Sequence, residues 1–125
     1  MLVTGAAGAI GHAIAVRLAR TGFGVALIDT SAHLDVAAAA TAAFGGPCTW
    51  AHADVTDVAQ TGAALDAIRT AIGPIDGLIN NAGLVNHIAP VVKMGVERWQ
   101  HELDVNLTAP FQMTQAVLPS MIERE

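Results

Sequence analysis

Small residues follow the first apolar segment of the chain, in the run Thr4-Gly5-Ala6-Ala7-Gly8-Ala9-Ile10-Gly11. Leu2–Thr4 predicts a short strand, and apolar residues at every fourth position from Ile10 to Leu18 predict a helix, so the glycines lie at a strand-to-helix turn. Such a turn favours a pyrophosphate, because the first N–H groups of a helix are unpaired and carry the positive end of its dipole. His12 stands where a Walker loop needs Lys, which disfavours nucleoside triphosphate chemistry. The turn therefore predicts a diphosphate site, although glycine turns of this kind also serve packing alone.

A carboxylate closes the next apolar segment. Residues 25–28 form a continuous apolar run, typical of a strand buried on both faces, and Asp29 ends it 18 residues after Gly11. About 20 residues is the spacing expected of a carboxylate that holds the adenosine ribose of a dinucleotide; the alternative is an ordinary turn or cap aspartate. A 2′-phosphate there would be repelled by about 4 kcal/mol, for unit charges about 4 Å apart at an effective dielectric constant of about 20. No Arg lies in the turn or at positions 30–31 to compensate, so we predict NAD rather than NADP.

Strand-like and helix-like segments alternate four times along the chain. The predicted strands are residues 2–4, 25–28, 48–53 and 75–80; the predicted helices are 10–20, 33–44 with Ser31 as N-cap, a third helix capped by Thr56 and ended by Gly73-Pro74, and 96–122. The last helix carries an apolar stripe of Trp99, Leu103, Leu107, Pro110, Thr114, Val117 and Met121. Crossovers of helical length require parallel strands and right-handed connections. We therefore predict one α/β domain over residues 1–125, a Rossmann-type doubly wound parallel sheet in the order 3-2-1-4.

Composition excludes several classes of function. The net charge of −5 gives no basic footprint for a nucleic acid or an anionic membrane, and no apolar run approaches the roughly 18 residues of a membrane span. The start lacks the pattern of a secretion signal, so we expect a cytoplasmic protein. Cys48 is unpaired and is interpreted as a structural residue. The five histidines, His87 among them, show no metal-binding spacing, so no metal site is predicted.

Four motifs together resemble the short-chain dehydrogenases/reductases. The run 4–11 resembles the TGxxx[AG]xG turn of that family, with Ala9 at the middle glycine, and Asp54-Val55 resembles its adenine-contacting pair. Asn80-Asn81-Ala82-Gly83 resembles the NNAG motif, and residues 103–107 resemble the helix segment that bears the catalytic asparagine. The three glycines of the turn also fit the extended branch of the family, but NNAG favours the short branch.

The resemblance implies a role for each matching position. It assigns pyrophosphate and ribose contacts to the glycine turn, the adenosine ribose to the strand-two carboxylate, the adenine to the next strand end, the far end of the cofactor cleft to the NNAG segment, and a place in the catalytic site to the asparagine. In that order the residues are Gly5, Ala7, Gly8, Ile10 and Gly11; Asp29; Asp54 and Val55; Asn81, Ala82 and Gly83; and Asn106. Without the resemblance, Asp54 fits a helix cap about equally well.

Pro110 affects the backbone of Asn106 by a physical argument that does not depend on the resemblance. Proline has no N–H, so in an α-helix the carbonyl of the residue four positions earlier loses its partner. That residue is Asn106, whose free carbonyl needs water or another donor. The resemblance gives this backbone a water in a proton relay; the alternative is a proline-kinked packing helix.

The family's Tyr and the Lys four residues after it have no counterpart. The chain contains no Tyr, and Lys93 precedes Asn106 and so cannot be that lysine. We expect an NAD(P)-dependent oxidoreductase, seen here as a cofactor-binding half truncated before the Tyr/Lys segment, that acts on a small carbonyl or alcohol. The alternative is a non-catalytic nucleotide-binding or interaction module left by truncation. The resemblance also implies a homo-oligomer packed through the helix from about Val96.

Overall fold

The computed structural model describes residues 1–85 and 88–124, so His87 lies outside the described residues. Strands and helices alternate as the sequence predicts. They are β1 (Leu2–Thr4), α1 (Ala9–Arg20), β2 (Val25–Asp29), α2 (Leu34–Ala42), β3 (Cys48–His52), α3 (Val58–Ile72), β4 (Leu78–Ile79), α4 (Val96–Leu103) and α5 (Ala109–Ile122), with a 3-10 turn at Val91–Lys93 and a π-helical turn at Asp104–Thr108. The strands form one parallel sheet in the order β3-β2-β1-β4, which confirms the predicted order and fold class.

The fourth strand is shorter than the sequence predicts. The prediction covered residues 75–80, but only Leu78–Ile79 are in the strand, paired with Leu2 and Val3 of β1. The Leu2 N–H still donates to the Gly77 carbonyl oxygen at 2.8 Å. Because β1 is only three residues long, it offers β4 few backbone groups to pair with. The apolar character of residues 75–80 alone therefore predicted too long a fourth strand.

Helices cover both faces of the sheet, and each face has its own core. The core under α1 and α2 contains Val3, Leu27, Leu34 and Ala38. The core under α3 and α5 contains Leu2, Ile28, Leu65, Ile68, Met113 and Val117. Neighbouring residues of one strand thus point to opposite faces, which explains why β1 is buried at every position and β2 at every position before Asp29.

Two predicted helix caps are wrong. Asp57, rather than Thr56, caps α3, since its Oδ1 accepts the N–H groups of Ala59 and Gln60 at 2.9 and 3.0 Å. Ser31 lies too early to cap α2, which begins at Leu34, and its hydroxyl instead accepts the N–H of His33 at 3.2 Å. Both predictions chose a suitable side chain one or two positions before the place where the backbone becomes helical.

The predicted long helix is divided by the π-helical turn into α4 and α5. The Ala109 N–H there donates to the Asp104 carbonyl five residues back, one position more than in an α-helix. The extra residue shifts the register of the two parts, and only Val117 of the predicted stripe is buried. The buried residues of α5 are Ala109, Met113 and Val117, whereas Thr114 of the stripe is exposed. Trp99 and Leu107 are 55% and 66% exposed, whereas Val117 is buried. Among the described helices, this one included, none is both long and apolar enough to cross a bilayer.

Candidate functional site

A cavity of about 670 Å³ opens at the carboxyl ends of the four strands. This is the edge where parallel α/β sheets bind ligands, because the helix N-termini and strand ends meet there. All eleven predicted cofactor-binding residues line it: Gly5, Ala7, Gly8, Ile10, Gly11, Asp29, Asp54, Val55, Asn81, Ala82 and Gly83. Sequence reasoning missed seven further lining residues: Ala9, Thr30, Ser31, Ala53, Leu84, His101 and Val105.

The three glycines of the turn play different parts. Gly5 has φ +63°, and a Cβ on it would lie 2.8 Å from the Ala82 Cα. A Cβ on Gly11 would collide with the Gly5 carbonyl oxygen and lie 2.9 Å from the Ala6 Cα. A Cβ on Gly8 would meet only the Gly5 carbonyl oxygen, at an ordinary 3.4 Å. The fold therefore requires two of these glycines, while the third faces open space.

Helix α1 presents a bare N-terminus to the cavity. Gly8 is its N-cap residue, and in the described chain no side chain caps the helix and no acidic residue stands in its first turn. The first bond of the helix runs from the His12 N–H to the Gly8 carbonyl, so the N–H groups of residues 9–11 have no partner within the helix. Unpaired N–H groups and the positive end of the helix dipole make this end of the cavity suited to an anion.

Asp29 braces the glycine turn as well as lining the cavity. Its Oδ2 accepts the Ala7 N–H at 2.9 Å, and its Oδ1 accepts the Ser31 N–H at 2.9 Å. Each carboxylate oxygen has a second lone pair, so the group can still accept hydrogen bonds from a ligand. The side chain thus joins the end of β2 to the turn after β1.

Asp54 is held in a turn of its own. Its Oδ1 accepts both the N–H and the hydroxyl of Thr56, at 2.9 and 2.7 Å. The helix-cap alternative is therefore wrong for Asp54, because Asp57 occupies the cap position. The turn fixes the Asp54 carboxylate at the β3 end of the cavity.

Thr4, which is buried, and Asn81, which is half-buried, connect the glycine turn to the segment after β4. The Thr4 hydroxyl accepts the N–H groups of Asn81 and Ala82, both at 3.1 Å. The Asn81 Nδ2 donates to the carbonyl oxygens of Thr4 and Gly5 at 3.0 and 3.1 Å. Asn80 points elsewhere and donates to the Thr114 hydroxyl of α5 at 3.3 Å. Asn81 therefore acts on the site through the backbone that it positions.

Asn106 lies outside the cavity lining but holds part of it. Its Oδ1 accepts the Leu84 N–H at 2.8 Å, and its Nδ2 donates to the Leu84 carbonyl oxygen at 2.7 Å. Leu84 lines the cavity directly after the NNAG segment. Asn106 itself lies in the π-helical turn before Pro110, so the helix widens at the place where the proline lacks an N–H. The free carbonyl expected there stays a prediction.

The described residues do not favour a reactive cysteine or a metal-binding site. Burial raises the pKa of the Cys48 thiol, which favours the protonated, unreactive form. Its Sγ lies 3.6 Å from the Ala38 carbonyl oxygen, in a structural position. Across residues 1–85 and 88–124, no group of three or more His, Cys, Asp or Glu side chains is arranged to hold a metal ion.

The profile of the family described as short chain dehydrogenase matches residues 1–125, the whole chain. The chain belongs to the short-chain dehydrogenase family. This confirms the resemblance drawn from the four motifs, and it makes the chain a relative of oxidoreductases.

Curated members of the short-chain dehydrogenase family match nearly all of the chain. D-threitol dehydrogenase of Mycolicibacterium smegmatis is 41% identical over 126 residues, which cover 98% of this chain and 47% of that protein. Serine 3-dehydrogenase of Rhizobium radiobacter is 34% identical over 125 residues, which cover 100% of this chain and 49% of that protein. The chain therefore spans about half the length of these relatives.

Solved structures of the family share the backbone. The crystal structure of NAD+-bound xylitol dehydrogenase has a TM-score of 0.93 and 35% identity, covering 98% of this chain and 48% of its own. A metagenomic short-chain oxidoreductase in complex with NADP has a TM-score of 0.90 and 31% identity, covering 98% and 56%. A nicotinamide dinucleotide is common to both neighbours, whereas the 2′-phosphate is not.

Proposed function

We propose that this chain is the cofactor-binding part, residues 1–125, of an NAD-dependent oxidoreductase that moves a hydride between nicotinamide and a carbonyl or alcohol carbon of a small molecule. The main support is that eleven residues expected to contact the cofactor surround one cavity, beside the bare N-terminus of α1. An anionic diphosphate fits that end, since no acidic side chain of the described residues occupies the first helical turn.

The two sides of the cavity suit the two nucleosides of the cofactor. Asp29 and Asp54 follow β2 and β3 and would hold the adenosine, while Asn81 to Gly83 follow β4 on the other side of β1. When bound, the nicotinamide supplies or accepts the hydride. The residues of this chain bind and orient it; Asn106 would belong to the catalytic site through its carbonyl and through the Leu84 backbone that it fixes.

The proposed preference for NAD over NADP depends on Asp29. A 2′-phosphate on the adenosine ribose would lie against this carboxylate, and no cationic side chain stands among the residues that line the cavity beside it. The repulsion estimated from the sequence, about 4 kcal/mol for unit charges about 4 Å apart, corresponds to a large difference in affinity.

A small alcohol is the proposed substrate class. The relatives described above are named for D-threitol, xylitol and serine, each of which carries a hydroxyl group. We also propose a homo-oligomer through the α4–α5 helix, supported by an exposed apolar row on α5. Its members, with Leu107 just before the helix, are Phe111, Leu118 and Ile122.

Calorimetry with NADH and NADPH tests the cofactor proposal on the chain as it stands. Saturable binding with NADH at least ten-fold tighter than NADPH is expected; equal or tighter NADPH binding contradicts the Asp29 argument, and no binding of either contradicts the function. The absence of Tyr favours a second candidate, a non-catalytic nucleotide-binding or interaction module. Both candidates predict binding without hydride transfer by this chain alone, so the coding sequence beyond residue 125 distinguishes them: an in-frame Tyr and a Lys four residues after it would favour the oxidoreductase, and a reading frame without them would favour the second candidate.

A further inference from the structure

The polar side chains that line the cavity differ in whether they already form hydrogen bonds within the protein. Four of them have hydrogen bonds to neighbouring backbone: Asp29, Ser31, Asp54 and Asn81. Among the described residues, the side chains of Thr30 and His101 form no hydrogen bond, yet both line the same cavity; Thr30 directly follows Asp29 at the end of β2. The ring nitrogens of His101 can donate and accept, so they are available to a ligand.

The hydrogen bonds between Asn106 and Leu84 point to the β4 end of the cavity as the position of His101. His101 lies on α4, one helical turn before Val105, and both line the cavity with Leu84. Leu84 follows β4 and is held by Asn106, the residue next to Val105. In the order β3-β2-β1-β4, the strand that leads to Leu84 lies on the opposite side of β1 from β2 and β3, whose ends carry the two carboxylates.

We infer that His101 hydrogen-bonds the second nucleoside of the dinucleotide, the half that carries nicotinamide. The inference rests on the proposed function. With the diphosphate at the N-terminus of α1 and the adenosine beside Asp29, the other nucleoside has to extend toward Leu84 and Val105. The ring of His101 is the polar side chain, within the described lining, that meets it there unengaged.

Calorimetry with three probes tests this assignment on the intact chain. NADH contains both nucleosides, ADP-ribose lacks only nicotinamide, and ADP lacks the second nucleoside but keeps both phosphates. We expect His101→Ala to weaken NADH binding by roughly five- to ten-fold, the effect of one hydrogen bond, and ADP binding by less than two-fold. His101→Gln, which keeps a donor and an acceptor, should recover part of the affinity. A loss with ADP-ribose assigns the contact to the ribose, and no loss assigns it to nicotinamide.

His33→Ala is the matched control, because His33 is exposed, lies outside the cavity lining and makes no side-chain cap bond to α2. It should leave all three affinities unchanged. Equal weakening of NADH and ADP by His101→Ala, or unchanged NADH binding, would overturn the inference and leave the proposed function intact. If the wild-type chain binds none of the probes, the proposed function fails and this inference with it.

Discussion

Replacing Gly11 by Ala tests how the glycine turn is built, whatever the function of the cavity. The new Cβ would collide with the Gly5 carbonyl oxygen and lie 2.7 Å from the Asn81 Nδ2 and 2.9 Å from the Ala6 Cα. Carbon atoms pack at about 3.5–4.0 Å, so the Ala6 backbone alone has to move by about 0.6 Å. Since the obstacles are mostly backbone atoms of the turn itself, no rotamer change can relieve them.

The expected cost follows from this overpacking. Added methyl groups in packed sites cost about 1–3 kcal/mol, and a backbone obstacle favours the upper end of that range. The better helix propensity of Ala returns up to about 1 kcal/mol. We expect a net loss of about 2 kcal/mol in the free energy of unfolding, which lowers the Tm of a domain of this size by roughly 6–10 °C.

Two further Gly→Ala variants separate the clash from the general effect of the substitution. At Gly8 the new Cβ would lie 3.4 Å from the Gly5 carbonyl oxygen, an ordinary contact, so the free energy of unfolding should change by less than about 1 kcal/mol. At Gly62, in the middle of α3, nothing lies within 4 Å of the Cβ, and stability should rise by about 0.5–1 kcal/mol. If the proposed function holds, Gly8→Ala should also lose NADH affinity, because its methyl group enters the space beside the bare helix end.

Urea denaturation followed by circular dichroism measures all three variants under the same conditions. The expected order of stability is Gly62→Ala, wild type, Gly8→Ala, Gly11→Ala. A Gly11→Ala protein as stable as the wild type would refute the description of the turn, as would a Gly8→Ala protein destabilised to the same extent as Gly11→Ala.

The remaining predictions concern single contacts. Hydrogen bonds from the N–H groups of Gln60 and Ala59 lower the pKa of Asp57, so its contribution to stability is present above the unfolded pKa and is lost as pH falls through the folded pKa. Asp57→Asn can still cap α3, so in this variant the urea midpoint should fall less steeply below about pH 4 than in the wild type. An equally steep fall in the variant would argue against the cap. Burial raises the pKa of Cys48, so iodoacetamide should label it more slowly in the native chain than in the denatured chain at about pH 8, with equal rates contradicting the description. Asn106→Ala removes the acceptor of the Leu84 N–H, so hydrogen exchange should quicken at Leu84 and stay unchanged in β2; protection retained at Leu84 would contradict the contact.

The sheet order and the ends of several elements could be predicted because each depends on a local signal. The apolar run of β2 is buried on both faces, as its composition predicts. Helix α1 ends at a Schellman motif, in which Gly22 has φ +90° and the Phe23 N–H donates to the Leu18 carbonyl, and α3 ends at Gly73 with φ +84°. The backbone at these positions has a positive φ, which glycine adopts readily and other residues rarely do, so the glycine marks the end of the helix.

The features that the sequence did not predict depend on competition between neighbouring capping residues or on tertiary contacts. Ser31 and Thr56 are good capping residues, but the backbone turns helical later, so His33 and Asp57 occupy the cap positions. The apolar stripe of the last helix was counted with 3.6 residues per turn, and the π-helical turn before Pro110 changes that count. His101 belongs to no motif, and only the tertiary arrangement of the chain brings it to the cavity. The cytoplasmic location stays a prediction.

Asp29 shows why binding and folding are difficult to separate in this cavity. Its two oxygens accept the N–H groups of Ala7 and Ser31, so the residue proposed to hold the ribose also holds the turn that faces the diphosphate. Even Asp29→Asn, which keeps the shape, replaces one acceptor by an NH₂ group that cannot accept, and one backbone N–H loses its partner. Such a variant would weaken NAD binding both by disturbing the turn and by changing the contact with the ribose. The charge argument for NAD is therefore best tested by comparing NADH with NADPH on the unaltered chain, where the turn is the same for both ligands.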